Sequence, residues 1–239
     1  TRESYITFDI LGGDLTQSTG NAKDLINSVL SSLNSIVSNS WNGYYNALYQ
    51  VNNVLSIVES LPESELRNLI IGEAHYFRAY IYHALVTRWG GVPIQKVNTM
   101  EKPFRDSEEA VWSFIEEELQ TALAFLGTSS SYYYVSRDPA LALKARVMLE
   151  RGNLTEAATL AEGLITDGKY KLDSFDKIFR GKSNTEVIFS FQCLAEESNI
   201  TISTLFYTYA HPNHGSYVYR PTNEVMNMYD DKDKRKDVS

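Results

Sequence analysis

The stretch Gly72-Glu73-Ala74-His75-Tyr76-Phe77-Arg78-Ala79-Tyr80, continuing through Tyr82 and Leu85 to Trp89-Gly90-Gly91-Val92-Pro93, decides how this chain folds. From Pro62 to Arg88 only Gly72 interrupts a helical pattern, and Gly90, Gly91 and Pro93 then supply its stop. Leu66, Ile70, Ala74, Phe77, Ile81 and Leu85 form an apolar face at three-to-four spacing; Leu69, Tyr76, Ala79, Tyr80, His83 and Val86 form a second that is largely apolar or aromatic. A helix with two apolar faces needs a neighbour on each side. The spacing therefore predicts a layered helical array.

Outward from this segment the same period recurs. Upstream, Asn21 or Asp24 is expected to start a helix through Leu25, Val29, Leu33 and Ile36 that ends at Ser38-Asn39-Ser40, and a second helix runs from about Trp41 to Ser60. Downstream, Ser107 followed by Glu108 and Glu109 opens a helix to Leu126, because a hydroxyl caps the first turn and carboxylates favour the positive dipole end. The pair Asp138–Arg151 and Leu154–Thr166 is the clearest repeat. Against the tetratricopeptide pattern, Leu141, Ala145 and Met148 face inward, Gly152 makes the turn, and Leu154, Ala157, Ala161 and Leu164 answer from the second helix. Each such hairpin leaves an apolar face open until the next stacks on it. Residues 1–20, with Gly12-Gly13-Asp14, read as loop. After Lys169 the pattern changes: Val187–Phe191 is a short β-like run, and Ile200–Pro221 is rich in Tyr, Thr and His without a helical period. The expected fold is mainly α, a tetratricopeptide-like α-α superhelix with a loop-rich C-terminal segment, divided as 1–20, 21–190 and 191–239.

The Gly72–Pro93 stretch resembles the hallmark of the SusD/RagB family of outer-membrane glycan-binding lipoproteins: Gly-Glu-Ala, Arg-Ala, aromatics, then Trp-Gly-x-Val-Pro. Other family-like segments follow in the family's order from Trp41 to Phe189, including Ala142, Lys144, Ala145 and Arg146, then Tyr170, Phe175, Phe179 and Glu186-Val187-Ile188-Phe189. A last echo runs from Arg220-Pro221 through Tyr229 to Asp233 and Arg235. That segment lies near mid-chain in the family, so the resemblance implies the N-terminal half of a longer member, with the ligand-binding part beginning in 191–239. Departures are His83 where an aromatic is common, Gly91 where Asp is common, and Arg137-Asp138-Pro139 in place of Gly-Arg.

Composition excludes several functions. The 239 residues are 43% hydrophobic and carry a formal net charge of -8, with Lys and Arg scattered, so no basic stripe offers itself to nucleic acid. No apolar run approaches the ~18 to 20 residues that span a bilayer. The single cysteine, Cys193, excludes an internal disulfide and a CxxC metal clamp, and its apolar neighbours suggest burial. Glycoside hydrolysis needs two carboxyl groups opposed across a cleft, whereas Glu116, Glu117 and Glu118 fan around a helix and read mostly as a solvated face. Glu73 and Arg78 read as internal pairing or capping groups. His211 and His214 supply too few ligands for zinc, and Asp230-Asp231-Lys232-Asp233 lacks the glycine and closing Glu of a calcium loop. No enzyme, metal or cofactor is expected.

A sugar site needs flat rings to stack on pyranose faces and polar groups to reach hydroxyls. With 16 Tyr, 10 Phe and 3 Trp, abundance decides nothing and position must. Tyr45, Trp89 and Trp112 sit in helical patterns and read as packing; Trp41 and Asn42, at the expected start of a helix beside a polar loop, are kept as candidates. The segment Leu205–Tyr219 carries aromatics without helical spacing, where rings are more often functional. In the family, the insertion after the Glu-x-Ile-Phe strand contributes to the sugar site, which selects Tyr207, Tyr209, Asn213 and Tyr217; covering the helical array is their structural alternative. Tyr132-Tyr133-Tyr134 after three serines is a weaker cluster, and Asp14 offers a hydrogen-bonding group that turn formation explains as well. The resemblance implies non-catalytic glycan binding at the cell surface, delivery to a SusC-like TonB-dependent transporter, and anchoring by an N-terminal lipid. The alternative is a tetratricopeptide-like module that binds protein in its groove and has no sugar site.

Overall fold

The computed structural model describes residues 6–17, 22–178, 184–192, 194 and 202–233. Asn21, Phe179, Cys193, Ile200 and Arg235, which the sequence reading singles out, lie outside them. The chain forms two compact units, one from Tyr44–Gln192 and one from Thr1–Gly43 together with Cys193–Ser239. The sequence reading divides the chain at 20/21 and 190/191; the contacts instead group its two ends in one unit.

The helical unit is an up-and-down array of five long helices: α3 (Ser35–Val58, from Tyr44 onward), α4 (Glu65–Trp89), α5 (Glu108–Phe125), α6 (Arg137–Glu150) and α7 (Leu154–Thr166). Neighbours run antiparallel. The start of α4 meets the end of α3 where the Arg67 guanidinium donates to the carbonyls of Val58 and Glu59, both at 3.2 Å. The end of α6 meets the start of α5 through Arg151 and Glu109 at 2.7 Å, and Asp138 at the start of α6 accepts from Lys169 and Tyr170 just past α7. Local chemistry sets the boundaries. Ser64, Ser107 and Asn153 each accept a first-turn N–H through the side chain, and Gly152 takes the turn between α6 and α7 at φ 79°.

As the two apolar faces require, α4 is buried all round from Ile81 to Val86. Tyr82, Leu85, Val111, Ile115, Leu119 and Val147 are fully buried and make the centre of this unit. Gly72 answers a close approach: a Cβ there would stand 2.9 Å from Leu126 Cγ at the end of α5. Gly91 likewise lies against the Asp106 carbonyl, where a side chain does not fit.

The other unit is built around Ile6, Ile10, Leu15, Ala22, Leu25, Ile36, Leu205 and Tyr219. It contains α1 (Thr7–Gly12), β1 (Leu15–Gln17), α2 (Lys23–Ile26), the first turns of α3, a 3₁₀ turn at Ser203–Leu205, β2 (Tyr219–Pro221) and α9 (Asn223–Met228). β1 and β2 pair antiparallel with Leu15 opposite Pro221, Thr16 opposite Arg220 and Gln17 opposite Tyr219. The remaining short helix, α8 (Phe175–Ile178), belongs to the helical unit.

Several local expectations differ from the structure. The helix expected through Leu25, Val29 and Leu33 is cut short at Ile26, because Ser28 turns the backbone left-handed at φ 58°. Leu30 and Leu33 are left largely exposed. The Asn34 side chain, not the Ser38–Ser40 cluster, marks the next boundary: its Oδ1 accepts the Ile36 N–H at 3.0 Å, and α3 runs straight through that cluster. The N-terminal segment is not all loop, since Gly13, left-handed at φ 85°, ends one helix and frees the chain to pair as β1. Val187–Phe191 forms no strand.

Candidate functional site

The irregular segment 203–219 is closed on itself by backbone hydrogen bonds. Ser216 N–H donates to the Thr204 carbonyl at 2.8 Å, Tyr217 N–H to Tyr207 at 3.0 Å, Val218 N–H to Leu205 at 2.8 Å, and Gly215 N–H to Thr208 at 3.1 Å. Leu205 and Tyr219, at the two feet of this loop, are almost fully buried in the unit's core and hold it there. The tip turns sharply, with His214 and Tyr217 left-handed at φ 44° and 46°. Gly215 is required between them, since a Cβ would run into the Tyr207 carbonyl.

That backbone sets the rings. Tyr207 is half-buried and stacks on the His211 imidazole, with centroids 3.9 Å apart and planes 18° off parallel. Tyr209, 80% exposed, leans on His214 at 5.3 Å. Tyr217 is 41% exposed, and the Asn213 side chain faces solvent. The two histidines act as ring supports, which the sequence reading missed. His211 Nδ1 accepts the Asn213 N–H at 3.1 Å and His214 Nδ1 bonds the Tyr209 carbonyl at 3.0 Å, so one nitrogen of each is already engaged in shaping the loop. Among the described residues no group of three His, Cys, Asp or Glu is placed to hold a metal ion.

Tyr207, Tyr209, Asn213 and Tyr217 thus share the closed 203–219 loop. Asp14, Trp41 and Asn42 belong to the same unit. Asp14 is exposed next to β1, and its carbonyl accepts the Thr222 N–H at 2.9 Å, beside the far end of β2. Trp41 and Asn42 do not open a helix; they stand two turns inside α3, Trp41 half-buried and Asn42 exposed. Tyr132, Tyr133 and Tyr134 lie in the helical unit, where the first two rings pack at 4.4 Å.

The Gly72–Pro93 stretch has an architectural task. Arg78, buried, donates to both Glu118 oxygens at 2.6 and 2.8 Å, and to Asn52 Oδ1 and the Lys96 carbonyl. Its partner is therefore Glu118 and not Glu73, and Glu118 departs from the solvated face expected of Glu116–Glu118 because its carboxylate is turned into the core. Burial pushes the Glu118 carboxyl up, but hydrogen bonds from His75 and Arg78 outweigh that and hold it below its ordinary range. The Tyr82 and Tyr45 hydroxyls donate to the Pro93 carbonyl, and Tyr82 also accepts the Gln95 N–H at 2.6 Å. These bonds tie the chain after α4 back onto the array.

With this geometry in hand, known proteins give the chain its relatives. A family model described as SusD-like, starch-binding associating with outer membrane, matches residues 2–149. A SusD-like protein of Formosa agariphila is 26% identical over 218 residues, and one of Bacteroides ovatus 27% over 142. These alignments cover 83% and 56% of this chain but only 42% and 26% of the relatives, so the chain spans less than half of either. Among solved structures, a SusD superfamily protein of Parabacteroides distasonis superimposes with a TM-score of 0.87 at 20% identity, over 98% of this chain and 55% of that one. A further solved structure, of a protein with xylogluco-oligosaccharide, gives 0.79 at 22% identity, over 95% of this chain and 52% of that one. The fold is that of these helical, tetratricopeptide-like proteins, and the match over 2–149 makes the chain a member of the SusD-like family.

Proposed function

We propose that this chain belongs to a non-catalytic, surface-displayed protein that binds oligosaccharide or polysaccharide and hands it to a SusC-like TonB-dependent outer-membrane transporter. The observation that carries this reading is the closed 203–219 loop, which presents Tyr209 and Tyr217 to solvent and props Tyr207 on His211. Rings fixed before the ligand arrives lose little entropy on stacking against a sugar, while Asn213, Asp14 and Asn42 offer groups for its hydroxyls. Family membership and the sugar-bound neighbour support the same ligand class. A lipid anchor ahead of the chain is the means of display that this reading entails. No covalent step or cofactor enters it.

Isothermal titration with xylogluco-oligosaccharide, starch and a panel of other glycans tests the proposal. Binding to at least one glycan is expected, weakened at least tenfold by Tyr207→Ala with Tyr217→Ala. Unchanged binding in the double variant removes the site assignment, and no binding to any glycan rejects the reading.

A second reading, a helical module that docks protein, has one observation in its favour. An open hollow of about 460 Å³ in the helical unit is lined by Tyr76, Tyr80, Leu143, Ile178 and Phe189. Retention of a transporter partner by variants that have lost all glycan binding would favour it.

A further inference from the structure

The helical unit contains a separate polar pocket of about 200 Å³ between the loop before α6, the turn after α7 and residues 184–188. Its walls are mostly hydroxyl and amide groups, among them Ser129, Tyr132, Tyr170 and Asn184, with Val187 and Ile188 as an apolar surface. We propose that this pocket binds one neutral pyranose ring, as a glycan subsite distinct from the 203–219 loop. The inference takes from the proposed function only the chemical class of the ligand.

Three observations carry it. First, Ser136, which lines the pocket, is 5% exposed as a residue and occupies the N-cap position of α6, yet its side chain makes no capping bond. A serine hydroxyl at an N-cap ordinarily finds its partner in the helix, and this one is left to face the pocket. Here the pocket is the place from which a partner can come.

Second, the pocket's charge is internally cancelled. Lys169 Nζ lies 2.6 Å from Asp138 Oδ2 and donates to the Ser129 carbonyl at 3.2 Å, while the Tyr170 hydroxyl donates to the same Asp138 oxygen at 2.8 Å. An anion gains little from an ammonium already paired in this way. A neutral polyol can instead use the serine and threonine hydroxyls and the Asn184 amide that line the walls.

Third, the walls are fixed before any ligand enters. Ser190 N–H donates to the Tyr132 carbonyl at 2.9 Å, Lys171 N–H to Thr185 at 2.9 Å, Thr185 Oγ1 back to Lys171 at 2.9 Å, and Arg137 N–H to Gly127 at 2.8 Å. A preformed polar site with one apolar face matches a sugar ring, which shows hydroxyls at its edge and C–H groups on its face.

The test is amide-resolved NMR titration of the full 239-residue chain with methyl β-D-glucopyranoside, methyl β-D-xylopyranoside and methyl β-D-galactopyranoside, with inorganic phosphate as the anionic comparison. Saturable shifts at the amides of Ser129, Ser136, Tyr170 and Thr185 are expected with at least one glycoside and not with phosphate. Ser136→Ala is expected to weaken that binding about tenfold while leaving Tm unchanged or higher, because the hydroxyl it removes makes no capping bond in the free protein. Should Ser136→Ala fail to fold, Ser130→Ala, which removes a second pocket hydroxyl at an exposed position, is read the same way. Absence of saturable pocket shifts with every glycoside, equal affinity in the folded variant, or preference for phosphate overturns the inference. The amides of Thr208, His214 and Tyr217 report separately on the 203–219 loop. Pocket shifts that persist in the Tyr207→Ala, Tyr217→Ala variant keep the two sites distinct; loop shifts without pocket shifts sink the pocket alone, and pocket shifts without loop shifts sink the loop assignment alone.

Discussion

Arg78 shows how much of the hallmark serves structure. Its guanidinium is forked onto a buried carboxylate, so truncation leaves Glu118 in the core with His75 as its remaining partner. Arg78→Ala is expected to cost about 3–5 kcal/mol, read as a lower midpoint in chemical denaturation. The same network makes the helical unit acid-sensitive. Glu118 titrates below its ordinary value of 4.5 in the folded chain, so its stabilising contribution is whole above that value and is lost as pH falls through the depressed one. His83 is also depressed from its ordinary 6.5, because burial outweighs the nearby Glu150 carboxylate, which lies 2.7 Å away. A depressed histidine prefers to stay neutral when folded, so stability begins to fall as pH drops below about 6.5 and falls further below 4.5. Thermal unfolding across pH 3–8 checks this, and His83→Gln should remove the upper part of the slope.

At the scale of elements, two glycines lead to opposite expectations. Gly72→Ala brings a Cβ against Leu126 and Phe125, and overpacking of this kind costs about 1–3 kcal/mol with the helical array retained. Gly215→Ala strikes backbone and has nowhere to relax, so the 203–219 loop should open. Faster hydrogen exchange at Ser216 and Val218 is expected, with α4 and α5 unaffected and glycan binding by the loop lost. The difference between these sites also explains what the sequence could reveal. The helices from α4 to α7 were legible because caps, periods and glycine stops are local, within one or two turns. The β1–β2 pair was not, since it joins residues some 200 positions apart and each strand is only three residues long. The aromatic richness of 205–219 was plain in the letters, but the loop's closure depends on left-handed backbone at His214 and Tyr217, a conformation uncommon outside glycine. Trp41 falls inside α3 for a related reason: the helix boundary expected at the Ser38–Ser40 cluster lies instead at Asn34, which caps α3.

At the scale of the molecule, the discontinuous unit has a testable weakness. Leu205 and Tyr219 reach its core from one end of the chain, while Ile6, Ile10, Leu25 and Ile36 come from the other. A chain cut after Gln192 is expected to keep the helical circular-dichroism signal of α4 to α7 and to lose exchange protection at Ile10 and Leu25. If protection there survives the cut, the two-ended core is wrong.

That two-ended core fixes a timetable for synthesis. As the polypeptide emerges from the ribosome or a translocation channel, the five-helix array has all its partners once Gln192 is out, whereas Ile10 and Leu25 must wait for Tyr219. During that interval the segment carrying Ile6, Ile10, Leu25 and Ile36 displays oily side chains to its surroundings, so a holdase acting on the nascent protein has its natural foothold there.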